Sequence, residues 1–174
     1  MDHRNIVLTG FMGTGKSTVG RRVADILKIP FLDIDETLQR QAGRSIAELF
    51  RDKGEAAFRA LESATIQELS MQAKAVISTG GGALLNPQNR RFLEQNGVLV
   101  CLSARASTLL ERLKDDVTRP LLAGENMETR INRLMEERQA VYAMCPVQVA
   151  TDGKTIEQVA QEVIDKISPV WKAA

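Results

Sequence analysis

Short apolar runs typical of buried strands alternate along this chain with segments of helical periodicity. The runs lie at residues 5–9, 31–33, 75–79, 98–102 and 147–151. Each run is followed by a helical pattern, and connections of that length are too long for hairpins. Strands joined in this way form a parallel sheet that is covered by helices on both faces. The pattern therefore predicts an α/β fold, a three-layer α/β/α arrangement around a five-stranded parallel sheet.

Two segments depart from this alternation. Between the second and third strands, helical patterns occupy about residues 35–71. Gly43 ends the first of these helices. Ser45 and Glu48 form a capping box that starts the next helix. We expect this insertion to form a substrate-binding flap. The stretch 114–126 is charged, contains Pro and Gly and lacks periodicity, which predicts a mobile lid.

Length, composition and charge limit the class of protein. The chain of 174 residues suffices for one domain spanning residues 1–174, and its 44% hydrophobic and 26% charged residues are typical of globular proteins. A formal net charge of +1 gives no electrostatic reason to expect a nucleic acid or a membrane as a partner. No apolar run is long enough to span a bilayer, and the N-terminus lacks a signal-peptide core. We expect a cytoplasmic monomer.

The cysteines and the histidine exclude several kinds of site. Cys101 lies in an apolar run and Cys145 precedes a proline, with no C-x-x-C or Cys/His cluster, so we expect two buried, reduced thiols. The single histidine, His3, precedes the first strand and is remote from every glycine motif. Histidine-based triads, zinc sites and histidine acid–base catalysis are therefore excluded.

A phosphate-binding loop follows the first strand. The run Gly10-Phe-Met-Gly13-Thr-Gly15-Lys16-Ser17 matches the pattern G-x-x-x-x-G-K-S/T between a predicted strand and a predicted helix. In such a loop, backbone N–H groups converge on phosphate oxygens at a helix N-terminus. Lys16 then reaches the β- and γ-phosphates of a nucleoside triphosphate, and the Ser17 hydroxyl binds Mg²⁺. We expect the nucleotide contacts of this loop to come from Gly13, Thr14, Gly15, Lys16, Ser17 and Thr18.

Two aspartates close the second predicted strand. Ligands of an open parallel sheet bind beyond the carboxyl ends of its strands, and side-chain alternation places Asp33 and Asp35 on the same side. Asp33 suits the Mg²⁺ shell, and Asp35 suits contact with the hydroxyl that accepts the phosphoryl group. The alternative is that Asp35 and Glu36 only supply favourable negative charge at the start of a helix.

A glycine loop and three arginines complete the candidate residues. The run Ser78-Thr-Gly-Gly-Gly82 follows the third strand and allows a substrate to pack directly on backbone N–H groups, although three glycines are also typical of a loose turn. Arg59, Arg119 and Arg138 lie in separate segments. Each arginine taken alone is more typical of a solvated surface cation than of a ligand.

Taken in order, these motifs resemble the shikimate kinase family. The motifs are the phosphate loop, Asp-x-Asp, Gly-Glu-x-x-Phe-Arg-x-x-Glu ending at Glu62, Thr-Gly-Gly-Gly, Thr-Arg-Pro-Leu-Leu ending at Leu122, and Glu-Arg-x-x-x-Tyr ending at Tyr142. The resemblance spans the chain from Ile6 to about Ile167. Single motifs are shared with other kinases, whereas the ordered set is highly specific.

The resemblance implies a P-loop NTPase fold of the nucleoside-monophosphate-kinase type, with a core, a substrate-binding insertion and a lid. It implies that Asp35 contacts the hydroxyls of the substrate and that Arg59 and Arg138 grip its carboxylate. Gly81 and Gly82 would support the substrate ring. A planar guanidinium fork suits bidentate carboxylate binding, and two forks select a small organic acid over a neutral sugar.

On the nucleotide side, the resemblance implies that Arg119 closes over the phosphates from the lid and that Arg112 stacks on adenine. The family commonly has Arg and Pro where this chain has Lys154 and Ile156. We place Lys154 among the nucleotide contacts.

The implied reaction transfers the γ-phosphoryl group of Mg²⁺-ATP to the 3-hydroxyl of shikimate, giving shikimate 3-phosphate and ADP. Lys16, Asp35 and Arg119 would be the catalytic residues. One alternative is another small-metabolite P-loop kinase, such as a gluconate kinase. A nucleotide-dependent switch is the other alternative, although the chain has no Asn-Lys-x-Asp guanine motif.

Overall fold

Five parallel strands form the centre of the structure, a computed structural model that describes residues 4–72, 74–114 and 126–171. The strands are β1 (Asn5–Gly10), β2 (Phe31–Asp33), β3 (Val76–Ser78), β4 (Gly97–Ser103) and β5 (Val147–Ala150). They lie in the order β2-β3-β1-β4-β5, and every neighbouring pair is parallel. All five predicted strands are therefore confirmed, with bounds that differ from the observed ones by one residue or less at each end.

Helices join the strands throughout the described part of the chain. They are α1 (Lys16–Leu27), α2 (Ile34–Ala42), α3 (Ile46–Ser70), α4 (Pro87–Gln95), α5 (Ala106–Leu113), α6 (Met127–Ala143) and α7 (Ile156–Trp171). A single 3₁₀ turn at Ala83–Leu85 precedes α4 in these residues.

Both faces of the sheet are buried. On one face, Ile6 and Leu8 of β1 belong to a core that includes the packed helices α1 and α7. On the other face, Val7 shares a core with Ile66 of α3 and Leu93 of α4. Successive strand residues point to opposite faces, so one strand supplies both cores. Helices on both faces confirm the three-layer α/β/α fold.

The segment between β2 and β3 forms two helices, as predicted. Gly43 ends α2 in a left-handed conformation with φ +63°. Ser45 starts α3 with a capping box, in which the Ser45 hydroxyl accepts from the Glu48 N–H at 3.2 Å and the Glu48 carboxylate accepts from the Ser45 N–H at 2.8 Å. Gly54 interrupts the path of α3 with φ +79° and ψ 171°. The helical nature of this insertion is thus confirmed, and its role as a flap stays a prediction.

The cysteines lie inside the fold, as predicted. Cys101 and Cys145 are both buried, and neither is bridged. None of the helices in the described ranges is long and apolar enough to cross a membrane. His3 and residues 115–125 of the predicted lid lie outside the described residues.

The strand order places the phosphate loop near the middle of one sheet edge. Strand β1 lies between β3 and β4, and parallel pairing brings their carboxyl ends to the same edge. A Cβ atom at Gly10, the last residue of β1, would lie 2.1 Å from the carbonyl oxygen of Leu102 on β4. Only glycine therefore fits where the chain leaves the sheet to enter the loop.

Candidate active site

A cavity of about 950 Å³ opens at the carboxyl edge of β2, β3 and β1. Its walls come from the phosphate loop, the start of α2, both halves of α3, the glycine loop and α6. This is where ligands of an open parallel sheet bind. The cavity lining includes these predicted site residues: Gly13, Gly15, Lys16, Ser17, Thr18, Asp33, Asp35, Arg59, Gly81, Gly82, Arg112 and Arg138.

The phosphate loop is held in shape by hydrogen bonds to its own backbone. Gly13 and Gly15 have φ values of +81° and +88°, which glycine adopts without strain. The Thr14 hydroxyl donates to the carbonyl of Phe11 at 2.7 Å, and Lys16 Nζ donates to the same carbonyl at 2.9 Å. Helix α1 begins at Lys16, directly after the loop, so the N-terminus of the helix borders the space that the loop encloses. The geometry provides an anion site at a helix N-terminus.

Ser17 and Asp33 place two side-chain oxygens close together beside this loop. Ser17 Oγ donates to Asp33 Oδ2 at 2.6 Å, and it lies 3.4 Å from Ser78 Oγ at the end of β3. Oxygen atoms are the ligands that Mg²⁺ prefers, and Mg²⁺ sites in kinases use one or two protein ligands together with substrate phosphates. The arrangement fits the predicted metal-binding role of both residues.

The prediction that Asp33 and Asp35 both end a strand is wrong. Strand β2 stops at Asp33, and Asp35 lies in the first turn of α2. Asp33 Oδ1 caps this helix by accepting from the backbone N–H groups of Asp35 and Glu36 at 3.0 and 3.2 Å. The N-cap geometry, rather than strand alternation, therefore sets the direction of Asp35, and both carboxylates still line the cavity.

The glycine loop packs against charged side chains that line the part of the cavity away from the phosphate loop. A Cβ atom at Gly80 would lie 2.9 Å from a carboxylate oxygen of Glu62 and 3.2 Å from Asp35 Oδ1. At Gly82 it would lie 2.9 Å from Arg59 Nη2. A Cβ atom at either position would therefore displace the Glu62 carboxylate or the Arg59 guanidinium from its place beside the loop.

Arg59 is held in place by a buried carboxylate that the sequence reasoning missed. Arg59 Nη1 donates to Glu62 Oε2 at 2.8 Å, and Nη2 donates to Glu55 Oε1 at 3.3 Å. Glu62 is only 1% exposed. Burial lowers the pKa of Arg59, but the charges and hydrogen bonds of Glu62 and Glu55 together outweigh that effect, so its pKa is raised. The spacing of three residues on a helix was the available signal, because it places the two side chains side by side.

Arg138, on α6, also lies beside the glycine loop. It is 3% exposed, and its guanidinium carbon lies 5.5 Å from the centre of the Phe11 ring. Neither Nε nor Nη1 has a hydrogen-bond partner among the described residues. A Cβ atom at Gly81 would lie 3.3 Å from Arg138 Nη1. A buried cation with open donors next to the cavity is suited to an anionic ligand.

The apolar wall of the cavity was also missed. Ile46, Ala47 and Phe50 line it from the first half of α3, and Phe58 lines it from the second half. The rings of Phe50 and Phe58 are stacked at an angle of 36°, with centroids 4.5 Å apart. The signal in the sequence was weak, because apolar residues on an amphipathic helix usually belong to a core.

Of the two described residues predicted to contact the nucleotide outside the phosphate loop, Arg112 lies beside that loop and Lys154 does not. Arg112 Nη1 donates to the Gly13 carbonyl and to Thr151 Oγ1, each at 3.1 Å, so Arg112 lies across the phosphate loop. Lys154 is not among the residues that line the cavity. Its Nζ donates to the Ala150 carbonyl at 2.8 Å and to Glu162 at 2.6 Å. Arg119 lies outside the described residues.

The fold and the site together define a P-loop kinase of the nucleoside-monophosphate-kinase type. The sequence model of the shikimate kinase family matches residues 12–168. The chain is 47% identical over 161 residues to a shikimate kinase from Caldanaerobacter subterraneus subsp. tengcongensis, an alignment that covers 92% of this chain and 94% of that protein. The chain belongs to the shikimate kinase family.

Solved structures agree with this assignment. A shikimate kinase from Acinetobacter baumannii, solved in complex with shikimate, matches with a TM-score of 0.93 and 36% identity, covering 97% of this chain and 94% of that chain. A gluconokinase from Sinorhizobium meliloti matches with a TM-score of 0.64 and 16% identity over 98% of this chain and 94% of that chain. The second likeness shows the shared fold alone.

Proposed function

We propose that this chain catalyses the shikimate kinase reaction of aromatic amino acid biosynthesis, the transfer of the γ-phosphoryl group of ATP to the 3-hydroxyl of shikimate. The observation that carries this proposal is the buried guanidinium of Arg138, which has open donors beside the glycine loop and faces the same cavity as Arg59. A carboxylate between these two arginines would supply the missing acceptors. The Acinetobacter baumannii relative binds shikimate, which carries such a carboxylate.

The cavity extends from the phosphate loop to the glycine loop, and these two ends suggest how the reactants are aligned. ATP phosphates would bind at the N-terminus of α1, where Lys16 neutralises charge on the transferred group. Asp35 lies near Gly80 at the other end, where it would orient the acceptor hydroxyl and take its proton late. Phosphoryl transfer depends mainly on alignment and charge neutralisation.

We further propose that Ser17 and Asp33 hold Mg²⁺. The described residues contain no cluster of three or more His, Cys, Asp or Glu that could bind a metal without help from a substrate. Bound Mg²⁺ would neutralise negative charge on the nucleotide phosphates. The hydrogen bond from Ser17 Oγ to Asp33 Oδ2, 2.6 Å long, supports this proposal because it brings the two oxygens together.

The remaining expectations stay predictions. Arg119 would reach the phosphates from the lid (114–126), and Arg112 would contact adenine. The pairing of Lys154 with Glu162 reduces the case for Lys154 as a nucleotide contact. A monomeric state in the cytoplasm is also expected, and light scattering of the purified protein would test the first part.

A gluconate kinase is the main alternative, and an assay of ADP release separates the two activities. We expect rapid ADP release with shikimate and little with gluconate or nucleoside monophosphates. Arg138→Lys should raise the KM for shikimate strongly and the KM for ATP weakly, because a lysine keeps the charge but loses the planar fork. Equal rates with gluconate and shikimate, or equal effects of Arg138→Lys on both KM values, would contradict the proposal.

A further inference from the structure

Helix α6 contacts the glycine loop through two side chains that lie one helical turn apart. Arg138 Nη1 approaches Gly81 from one side, 3.3 Å from the position that a Cβ atom would take. Tyr142 Oη donates a hydrogen bond to the carbonyl oxygen of the same glycine. Residues four apart share one face of a helix. The face of α6 that carries a predicted substrate ligand therefore also carries a hydrogen bond to the loop beneath the substrate.

The hydroxyl of Tyr142 is a dependable donor. Burial raises the pKa of Tyr142 to about 12, and the charge and hydrogen bond of neighbouring Arg138 offset only part of that effect. The phenol is therefore neutral at any pH at which kinases are ordinarily assayed. Its ring packs against two apolar clusters, one that contains Cys145 and another that contains Leu134. Loss of the hydroxyl alone would leave this packing in place.

The carbonyl that accepts from Tyr142 belongs to a peptide group whose orientation is only weakly restricted by its own residues. Glycine lies on both sides of the bond between residues 81 and 82, so no Cβ atom restricts its rotation. In a trans peptide the C=O and N–H groups point in opposite directions, and the described chain contains no cis peptide bond. A hydrogen bond that holds the Gly81 carbonyl toward α6 therefore turns the Gly82 N–H away from α6.

We propose that Tyr142 is a positioning residue for the acceptor substrate. Its hydroxyl fixes the peptide between Gly81 and Gly82 in the orientation on which the substrate packs, and it keeps this loop in register with Arg138. Because both contacts come from one helix, the loop and the carboxylate-binding arginine move together. This role rests on the proposed shikimate kinase activity.

Steady-state kinetics of Tyr142→Phe test the role. We expect the KM for shikimate to rise about tenfold, the size expected when a hydrogen bond is lost and a carbonyl is left unpaired. The kcat should stay within about twofold of the parent value, since the hydroxyl touches no reacting atom, and so should the KM for ATP. Turnover of shikimate by the parent chain is measured first, and its absence would defeat the proposed function itself.

Ser70→Ala is the matched control. The Ser70 hydroxyl is buried and donates to the Gln67 carbonyl at 2.9 Å, near the start of β1 and away from the cavity. This variant should lose thermal stability as Tyr142→Phe does but keep the parent KM for shikimate. With an active parent enzyme, an unchanged KM in Tyr142→Phe would overturn the positioning role and leave the proposed function intact.

A second measurement covers the case in which Tyr142→Phe does not fold. The chain has a single tyrosine, so biosynthetic incorporation of 3-fluorotyrosine gives one ¹⁹F resonance that reports on Tyr142. We expect shikimate to shift this resonance with saturation near its KM, and gluconate to leave it in place. A resonance that does not respond to saturating shikimate in the active enzyme would overturn the proposal.

Discussion

At the scale of single residues, Asp33 and Asp35 divide two tasks between them. Asp33 uses one oxygen to cap α2 and the other to accept from Ser17. Asp35 lies two residues further along, in the first turn of α2, and its carboxylate lines the cavity beside Gly80. Asp33 thus lies beside the phosphate loop and Asp35 beside the glycine loop, which agrees with the separate roles proposed for them.

Asp35→Asn should lower kcat by about 10²- to 10⁴-fold, because it keeps the shape of the side chain but removes the group that would accept the proton. Nucleotide affinity, measured by fluorescence titration, should stay near the parent value. Asp33→Asn is the comparison, and it should weaken the dependence of the rate on Mg²⁺. A kcat for Asp35→Asn within threefold of the parent would mean that Asp35 only starts a helix.

Tyr142 gives a second prediction at this scale, on stability at high pH. Its pKa in the folded state is about 12, whereas an unfolded tyrosine titrates near 10. The protonated phenol is favoured by folding, so this contribution to stability is fully present below pH 10 and is lost as the pH rises toward 12. The loss amounts to roughly 2–3 kcal/mol.

Urea unfolding of the parent chain and of Tyr142→Phe between pH 9 and pH 12 would measure this difference. We expect the free energy of unfolding of the parent to fall more steeply than that of the variant over the upper part of this range. If the free energies of unfolding of the parent and of Tyr142→Phe fell in parallel with pH, the pKa of Tyr142 would not be raised by folding.

At the scale of elements, α3 is two helical pieces joined at Gly54. The first piece carries the apolar wall at Phe50, and the second carries Arg59 and Glu62. The conformation of Gly54, with φ +79° and ψ 171°, is essentially restricted to glycine. A Cβ atom there would meet nothing within 4 Å, so the cost of a substitution would come from the backbone alone.

Gly54→Ala should destabilise the protein by about 1–3 kcal/mol and raise the KM for shikimate, because the two pieces of α3 would change their relative direction. Gly43→Ala is the control, since Gly43 also has a positive φ and open space but lies at the end of α2. Thermal unfolding should detect both variants, and only Gly54→Ala should affect KM. Equal KM values in the two variants would contradict a role of this break in shaping the pocket.

The sequence was most informative about elements and least informative about contacts between them. The five strands and the capping box at Ser45 follow from local patterns and local hydrogen bonds. Asp35 was assigned to the end of β2 rather than to the first turn of α2 because the pattern Asp-x-Asp does not show where the strand stops and the helix begins. Glu62 was missed because a helical glutamate is usually exposed, and only tertiary packing buries it against Arg59.

At the scale of the whole molecule, the cavity gathers segments that are far apart in the chain. The phosphate loop and Asp33 come from the first two strands, Arg59 comes from the insertion, and Arg138 comes from α6 near the other end. The parallel sheet brings them together because its strand ends share one edge. The pairing of Lys154 with Glu162 is also a tertiary contact, which no local pattern indicates.

The identity of the phosphorylated product tests the central claim most directly. Purified protein with Mg²⁺, ATP and shikimate would be followed by ³¹P NMR. We predict that the γ-phosphate signal is replaced by one phosphomonoester signal that grows in step with ADP and couples to the proton on carbon 3 of shikimate. Release of free phosphate without a phosphate ester of shikimate, or an equal ester signal when gluconate replaces shikimate, would contradict the account.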